Sequence, residues 1–116
     1  MVPVLDRHLL ETAHRHPVNW RGRYGRLYAL VADRVERFTF EGDAVYLLAL
    51  GPMPLWAGSA GDVVADPVSR ARLRLALDCA DRVFCVPTAA DPVARMTLAW
   101  DLEGAEPVSG ITASAA

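Results

Sequence analysis

The chain has 116 residues, a formal net charge of −2 and a hydrophobic fraction of 53%, enough apolar side chain for one domain with a core. Its longest apolar run, residues 44–50, has the length of a strand rather than a bilayer crossing, and residues 1–7 lack the basic start and apolar block of a secretory signal, so a cytoplasmic protein with no membrane association is expected. All twelve basic residues are arginine: residues 1–40 hold seven against four acids, with all three histidines, and the rest of the chain holds five against ten. That asymmetry suits a polar partner for the N-terminal part, but it is weaker than the basic footprint of a dedicated nucleic-acid-binding domain.

Residues 4–15 read as a helix, with Leu5, Leu9 and Ala13 on one stripe and Arg7, Glu11 and Arg15 on the outer face. Pro17 ends it, because the residue before a proline is pushed out of the helical region. His8, His14 and His16 are never three or four apart, so a helix would not aim two of them at one metal. Residues 18–23 read as a loop. Trp20 between Asn19 and Arg21, with Arg23 close by, has the composition of a site that stacks on a ring and touches phosphate. It equally suits a tryptophan anchoring two helices. Tyr24, Leu27, Tyr28, Val31, Val35 and Phe38 then recur at helical spacing, with Arg26, Asp33 and Arg37 opposite, so a second helix is expected.

Phe38-Thr39-Phe40 switches to the alternation of a strand, and Glu41-Gly42-Asp43 reads as a turn. Residues 44–50 read as a strand covered on both faces. A Gly51-Pro52-Met53-Pro54 turn leads to a second strand at Leu55-Trp56-Ala57, and Gly58-Ser59-Ala60-Gly61 reads as a loop. Asp66-Pro67 and Asp91-Pro92 are both helix starts, an N-cap acid followed by proline at the first helical position. The first helix should run to Ala80, with Leu73, Ala76, Leu77 and Ala80 inward and Arg70, Arg74 and Asp78 outward. The second should run to Glu103 and close on Gly104. Residues 82–86 form the strand between them. Cys79 and Cys85, without a CxxC, are expected as buried free thiols, and residues 108–116 as a frayed tail.

The expected fold is α/β (α+β): two N-terminal helices followed by β-β-α-β-α around a small three- to four-stranded sheet. Residues 1–40 form a helical segment packed on a core domain of residues 41–107. No phosphate-binding glycine loop, nucleophile elbow or HExxH motif is present.

The run Ala44-Val45-Tyr46, followed by Leu55-Trp56-Ala57-Gly58 and Ser59-Ala60-Gly61-Asp62-Val63, resembles the hairpin of the GIY-YIG nuclease family. The resemblance covers about residues 44–107. It implies metal-assisted phosphodiester cleavage, with a tyrosine near the first motif orienting water, an arginine on the next helix holding phosphate and a glutamate on a later helix binding the metal. Tyr46 keeps the first tyrosine and is the candidate catalytic residue. Trp56 replaces the second and has no hydroxyl. Arg70 stands nearest the arginine's place, with Arg74 one turn on, and no carboxylate lies between Val93 and Trp100 where the glutamate is expected.

The resemblance therefore implies a non-catalytic GIY-YIG-like binding or regulatory module. Nucleic acid would be held by Arg21, Arg23, Arg26, Trp56, Arg70 and Arg74, with no metal or cofactor. An alternative is a protein-interaction or self-association domain using Trp20, Tyr24 and Tyr28 of the N-terminal helices. A third reading is a divergent nuclease in which Asp101 or Glu103 holds Mg²⁺.

Overall fold

The computed structural model describes residues 17–86 and 91–108. Strands β1 (Val18–Arg21), β2 (Leu27–Leu30) and β3 (Ala32–Asp33) come first, then a single 3-10 turn at Val35–Arg37. Strands β4 (Val45–Leu50) and β5 (Met53–Gly58) follow, then helices α1 (Ala60–Ala65) and α2 (Pro67–Cys79), strand β6 (Arg82–Val86), helix α3 (Pro92–Glu103) and strand β7 (Glu106–Pro107). The strands form two antiparallel sheets, one ordered β2-β1-β7 and the other β3-β6-β4-β5.

The larger sheet is organised by β4, which pairs with β5 on one side and β6 on the other. Alternate side chains of a strand point to opposite faces, and here both faces are covered. Val45, Leu47 and Ala49 pack against Trp20, Tyr28 and Leu30 of the smaller sheet and Ala99 and Leu102 of α3. Tyr46 and Leu48 pack with Trp56 against Leu73 and Ala76 of α2. The sheet is thus the middle layer, with α2 on one side and α3 plus the smaller sheet on the other.

Local signals fix the helices. Asp66 accepts a hydrogen bond from the Val68 N–H (3.0 Å) and Asp91 from the Ala94 N–H (2.8 Å), so each caps a helix that opens on proline. At α1, Asp62 reaches back to accept from the Ser59 N–H (2.8 Å), one arm of a capping box. The β4–β5 turn needs Gly51 at φ +57°, a conformation costly for any residue with a Cβ. The Asp81 carboxylate holds the Gly51 N–H, and the Arg82 guanidinium donates to the Gly51 carbonyl.

Two N-terminal helices are not what the chain forms ahead of β4. The first, over residues 4–15, lies outside the described residues. The second, over residues 24–38, is replaced by β2, β3 and the 3-10 turn, and the loop read at 18–23 is in fact largely β1, the first strand of the β1–β2 hairpin. Trp20 and Tyr28 face each other across that hairpin, and β2 alternates, with Tyr28 and Leu30 buried and Leu27 and Ala29 exposed. The helical stripe was coincidental, since three of its members, Tyr24, Leu27 and Val31, are exposed. Gly25, at φ +91°, instead supplies a turn. The helical segment assigned to residues 1–40 is corrected accordingly. Trp20 is indeed an anchor, fully buried, but between strands and edge-on to Phe84. The stretch read as a Gly58–Gly61 loop ends β5 at Gly58, caps α1 at Ser59 and opens it at Ala60, and residues 38–40 form no strand, although Phe38 and Phe40 still pack around Tyr46. Cys79 and Cys85 are free but exposed.

Leu47 is fully buried where the smaller sheet meets the larger one. Leu47→Ala should lower unfolding free energy by about 3 kcal/mol, read as a lower urea midpoint with unchanged slope.

Candidate functional site

One end of α3 holds the β1–β2 hairpin by a buried carboxylate. Asp101 is 3% exposed. Its Oδ2 accepts from the Tyr28 hydroxyl (2.5 Å), its Oδ1 from the Tyr24 N–H (2.8 Å), and its backbone carbonyl from the Arg23 N–H (2.9 Å). Gly22 makes this approach possible, because a Cβ there would collide with the Asp101 carboxylate. The Arg23 guanidinium then stands over the Trp100 ring, 3.8 Å from its centre, and donates to the Trp100 carbonyl (3.1 Å). Arg26 stands over the Tyr28 ring at 5.1 Å. Burial, seconded by the hydrogen bond and charge of Asp101, pushes the Tyr28 hydroxyl up to about 12, with Arg26 opposing.

Trp100 also forms part of a groove of about 440 Å³. Its floor is β5, the outer strand of the larger sheet, with Pro54, Leu55, Trp56 and Ala57. One wall is α1–α2, contributing Asp62, Asp66, Val68, Ser69 and Arg72; the other is α3, contributing Met96, Ala99, Trp100 and Glu103. Met96, Val68 and Trp100 are all well exposed, at 64%, 58% and 47%. The walls carry three acids against one arginine. Trp56 itself is 4% exposed and donates its indole N–H to Ser69 Oγ (3.0 Å).

The floor strand is irregular. Leu48 pairs with Trp56 and Ala49 with Pro54, which leaves Leu55 as an extra, bulged residue. Pro54 has no N–H to offer an incoming strand.

The sequence-derived candidates do not form one surface. Tyr46 is 5% exposed under α2, and its hydroxyl accepts from the Glu41 N–H (2.8 Å). Burial raises its pKa, and partial desolvation raises that of Cys85 beside it, so neither has anionic character near neutral pH. Both line a smaller hollow of about 200 Å³ with Arg37, Glu41 and Asp33. Arg21, Arg23 and Arg26 belong to the β1–β2 hairpin, on one side of the larger sheet. Arg70 and Arg74 lie exposed on α2, on the other side. At 100° per residue they fall on the flank of α2 away from Arg72, which faces the groove.

The suggested metal ligands fare no better. Both Asp101 oxygens are taken by the hairpin, and Glu103 lines the groove. Among the described residues no three His, Cys, Asp or Glu side chains converge on a point where an ion could sit. The residues therefore do not fit the Mg²⁺ site of the nuclease reading. Nor does Trp20, Tyr24 and Tyr28 make an interface, since only Tyr24 is exposed, at 69%. Among the described residues no helix is long and apolar enough to cross a membrane.

Sequence reasoning missed Asp101 as a docking residue and the groove as a whole. The Ser59-x-x-Asp62 spacing was the one local signal that could have placed α1, and with it a groove wall.

No family model, curated protein or solved structure matches the chain.

Removing the buried carboxylate leaves two donors without an acceptor. Asp101→Ala should cost roughly 2–4 kcal/mol by urea unfolding, and Asp101→Asn, which keeps one acceptor, should cost less. Unfolded, Tyr28 ionises near its ordinary value of 10; folded, it keeps its proton to about 12. Its contribution is therefore complete below pH 10 and lost as pH rises toward 12. Stability should fall by about 2–3 kcal/mol across that interval. Tyr28→Phe should flatten the fall, leaving the part due to Tyr46 and Cys85.

Proposed function

We propose that this chain is a non-catalytic interaction module that binds a polypeptide through the groove along β5. The observation that carries the reading is the groove itself. Exposed Trp100, Met96 and Val68 stand over an apolar floor, with charged groups at the margin. Aromatic and methionine side chains at the centre with a polar rim make up the usual anatomy of a protein-binding patch. Three acids against one arginine favour a segment that carries positive charge beside its apolar anchor. Pro54 and the bulge at Leu55 interrupt backbone pairing along β5, so recognition rests on side chains entering the groove rather than on an added strand.

The GIY-YIG resemblance enters this reading only as a frame: Tyr46 is buried, Trp56 has no hydroxyl, and among the described residues no three metal-ligating side chains converge. Nucleic-acid binding has weaker support. The arginines assigned to it lie on opposite sides of the larger sheet, and the concave surface between them is acid-rich.

A fluorescent peptide alternating arginine with tyrosine or leucine, followed by anisotropy, tests the proposal. Binding in the micromolar range, weakened at least tenfold by Glu103→Lys and absent for the peptide with glutamate in place of arginine, is the expected result. Peptide binding indifferent to Glu103→Lys overturns the groove as the site. Tight duplex DNA binding that falls steeply with salt, or DNA cleavage with Mg²⁺ lost in Tyr46→Phe, overturns the reading itself.

A further inference from the structure

The acidic groove does not lie alone on the surface. Trp100, which forms part of its α3 wall, carries Arg23 of the β1–β2 hairpin on its ring at 3.8 Å. Beyond Arg23 the hairpin tip presents Tyr24, 69% exposed, and Arg26, also exposed. The tip is an apolar anchor flanked by arginines, the chemistry the groove favours. The tip is tied to its own α3, where Asp101 holds the Tyr24 N–H and the Arg23 N–H, and no tip residue lines its own groove.

A basic projection and an acidic recess therefore stand side by side, with Trp100 and Arg23 between them. In a two-fold dimer each subunit offers the same patch, so contact requires a patch complementary to itself when turned over. Adjacent halves of opposite charge about a central aromatic meet that requirement: rotation about an axis near Trp100 lays each tip over the other subunit's recess. Contact in one direction only would instead propagate as an open chain.

We infer that the polypeptide bound by the groove is the hairpin tip of a second copy, giving a reciprocal dimer in which Tyr24 and Arg26 of one subunit face Met96 and Glu103 of the other. This rests on the groove being a polypeptide-binding site, and names its occupant.

The test is a charge exchange on the full chain, read by light scattering after size exclusion. The wild-type chain should be dimeric at low salt and shift toward monomer as salt rises. Arg26→Glu and Glu103→Arg should each associate at least tenfold more weakly. Mixed in equal amounts they should recover a dimer, because each tip then meets an opposite charge. Circular dichroism checks that both variants fold, and Arg26→Asp, the same charge reversal on a shorter side chain, replaces Arg26→Glu if that variant does not. A wild-type monomer at about 100 μM, a dimer indifferent to both reversals, or a mixture that stays monomeric overturns the inference. If the arginine-rich peptide still binds in a Glu103-dependent way, only the second-copy occupant is lost. If it does not, the groove reading falls with it.

Discussion

Everything in the arrangement follows from β4 having no face to give to water. From Val45 to Ala49 each side chain is buried, odd positions into one core and even positions into the other. A strand of that kind must sit inside a sheet and under two layers, and the chain supplies them from separate stretches: α2 on one side, α3 and the smaller sheet on the other. With β4 internal, β5 is left at the margin, where the two layers stand apart. The groove is the seam between them, and its acids and apolar side chains are those that the layers turn toward their common border.

The second determinant is the contact that fixes the hairpin to α3. A carboxylate with 3% exposure is stable only if its oxygens are satisfied, and Asp101 obtains its partners from a turn more than seventy residues away in sequence. Tyr28 contributes from within the same core as Leu47 and Phe84, so packing of the smaller sheet and satisfaction of the carboxylate reinforce each other. The same contact presents Arg23 to Trp100 and holds Tyr24 outward. Stability and surface chemistry are joined at one residue.

Elements with their own punctuation were legible in the sequence. Both Asp-Pro starts cap helices where they stand, Gly104 follows the last turn of α3, and the hairpin read as 44–50 with 55–57 pairs as 45–50 with 53–58, Met53 and Pro54 joining the strand instead of the turn. In each case the deciding hydrogen bond is local or the strand partner is a few residues away. Residues 24–38 were misread because their burial is decided at a distance. Tyr28 is buried by Trp20, Phe84 and Asp101, none of which the local pattern reveals. Tyr24 and Leu27, which completed the apparent helical stripe, have nothing above them. Asp101 was weighed as a metal ligand for the same reason: a carboxylate near a helix end is unremarkable until the opposing turn is known. Trp100 could be assigned to a helix face, but the recess beside it exists only once three distant segments are assembled.

The three tryptophans stand at three depths: Trp20 at 0% exposure, Trp56 at 4% and Trp100 at 47%. Trp20 finds no acceptor for its indole N–H among the described residues, Trp56 gives its own to Ser69, and Trp100 borders the solvent. An aqueous quencher can reach Trp100, while Trp20 and Trp56 are shielded from it. The protein is thus self-labelled. The red, quenchable part of its emission reports on the recess, and the blue, protected part reports on the interior.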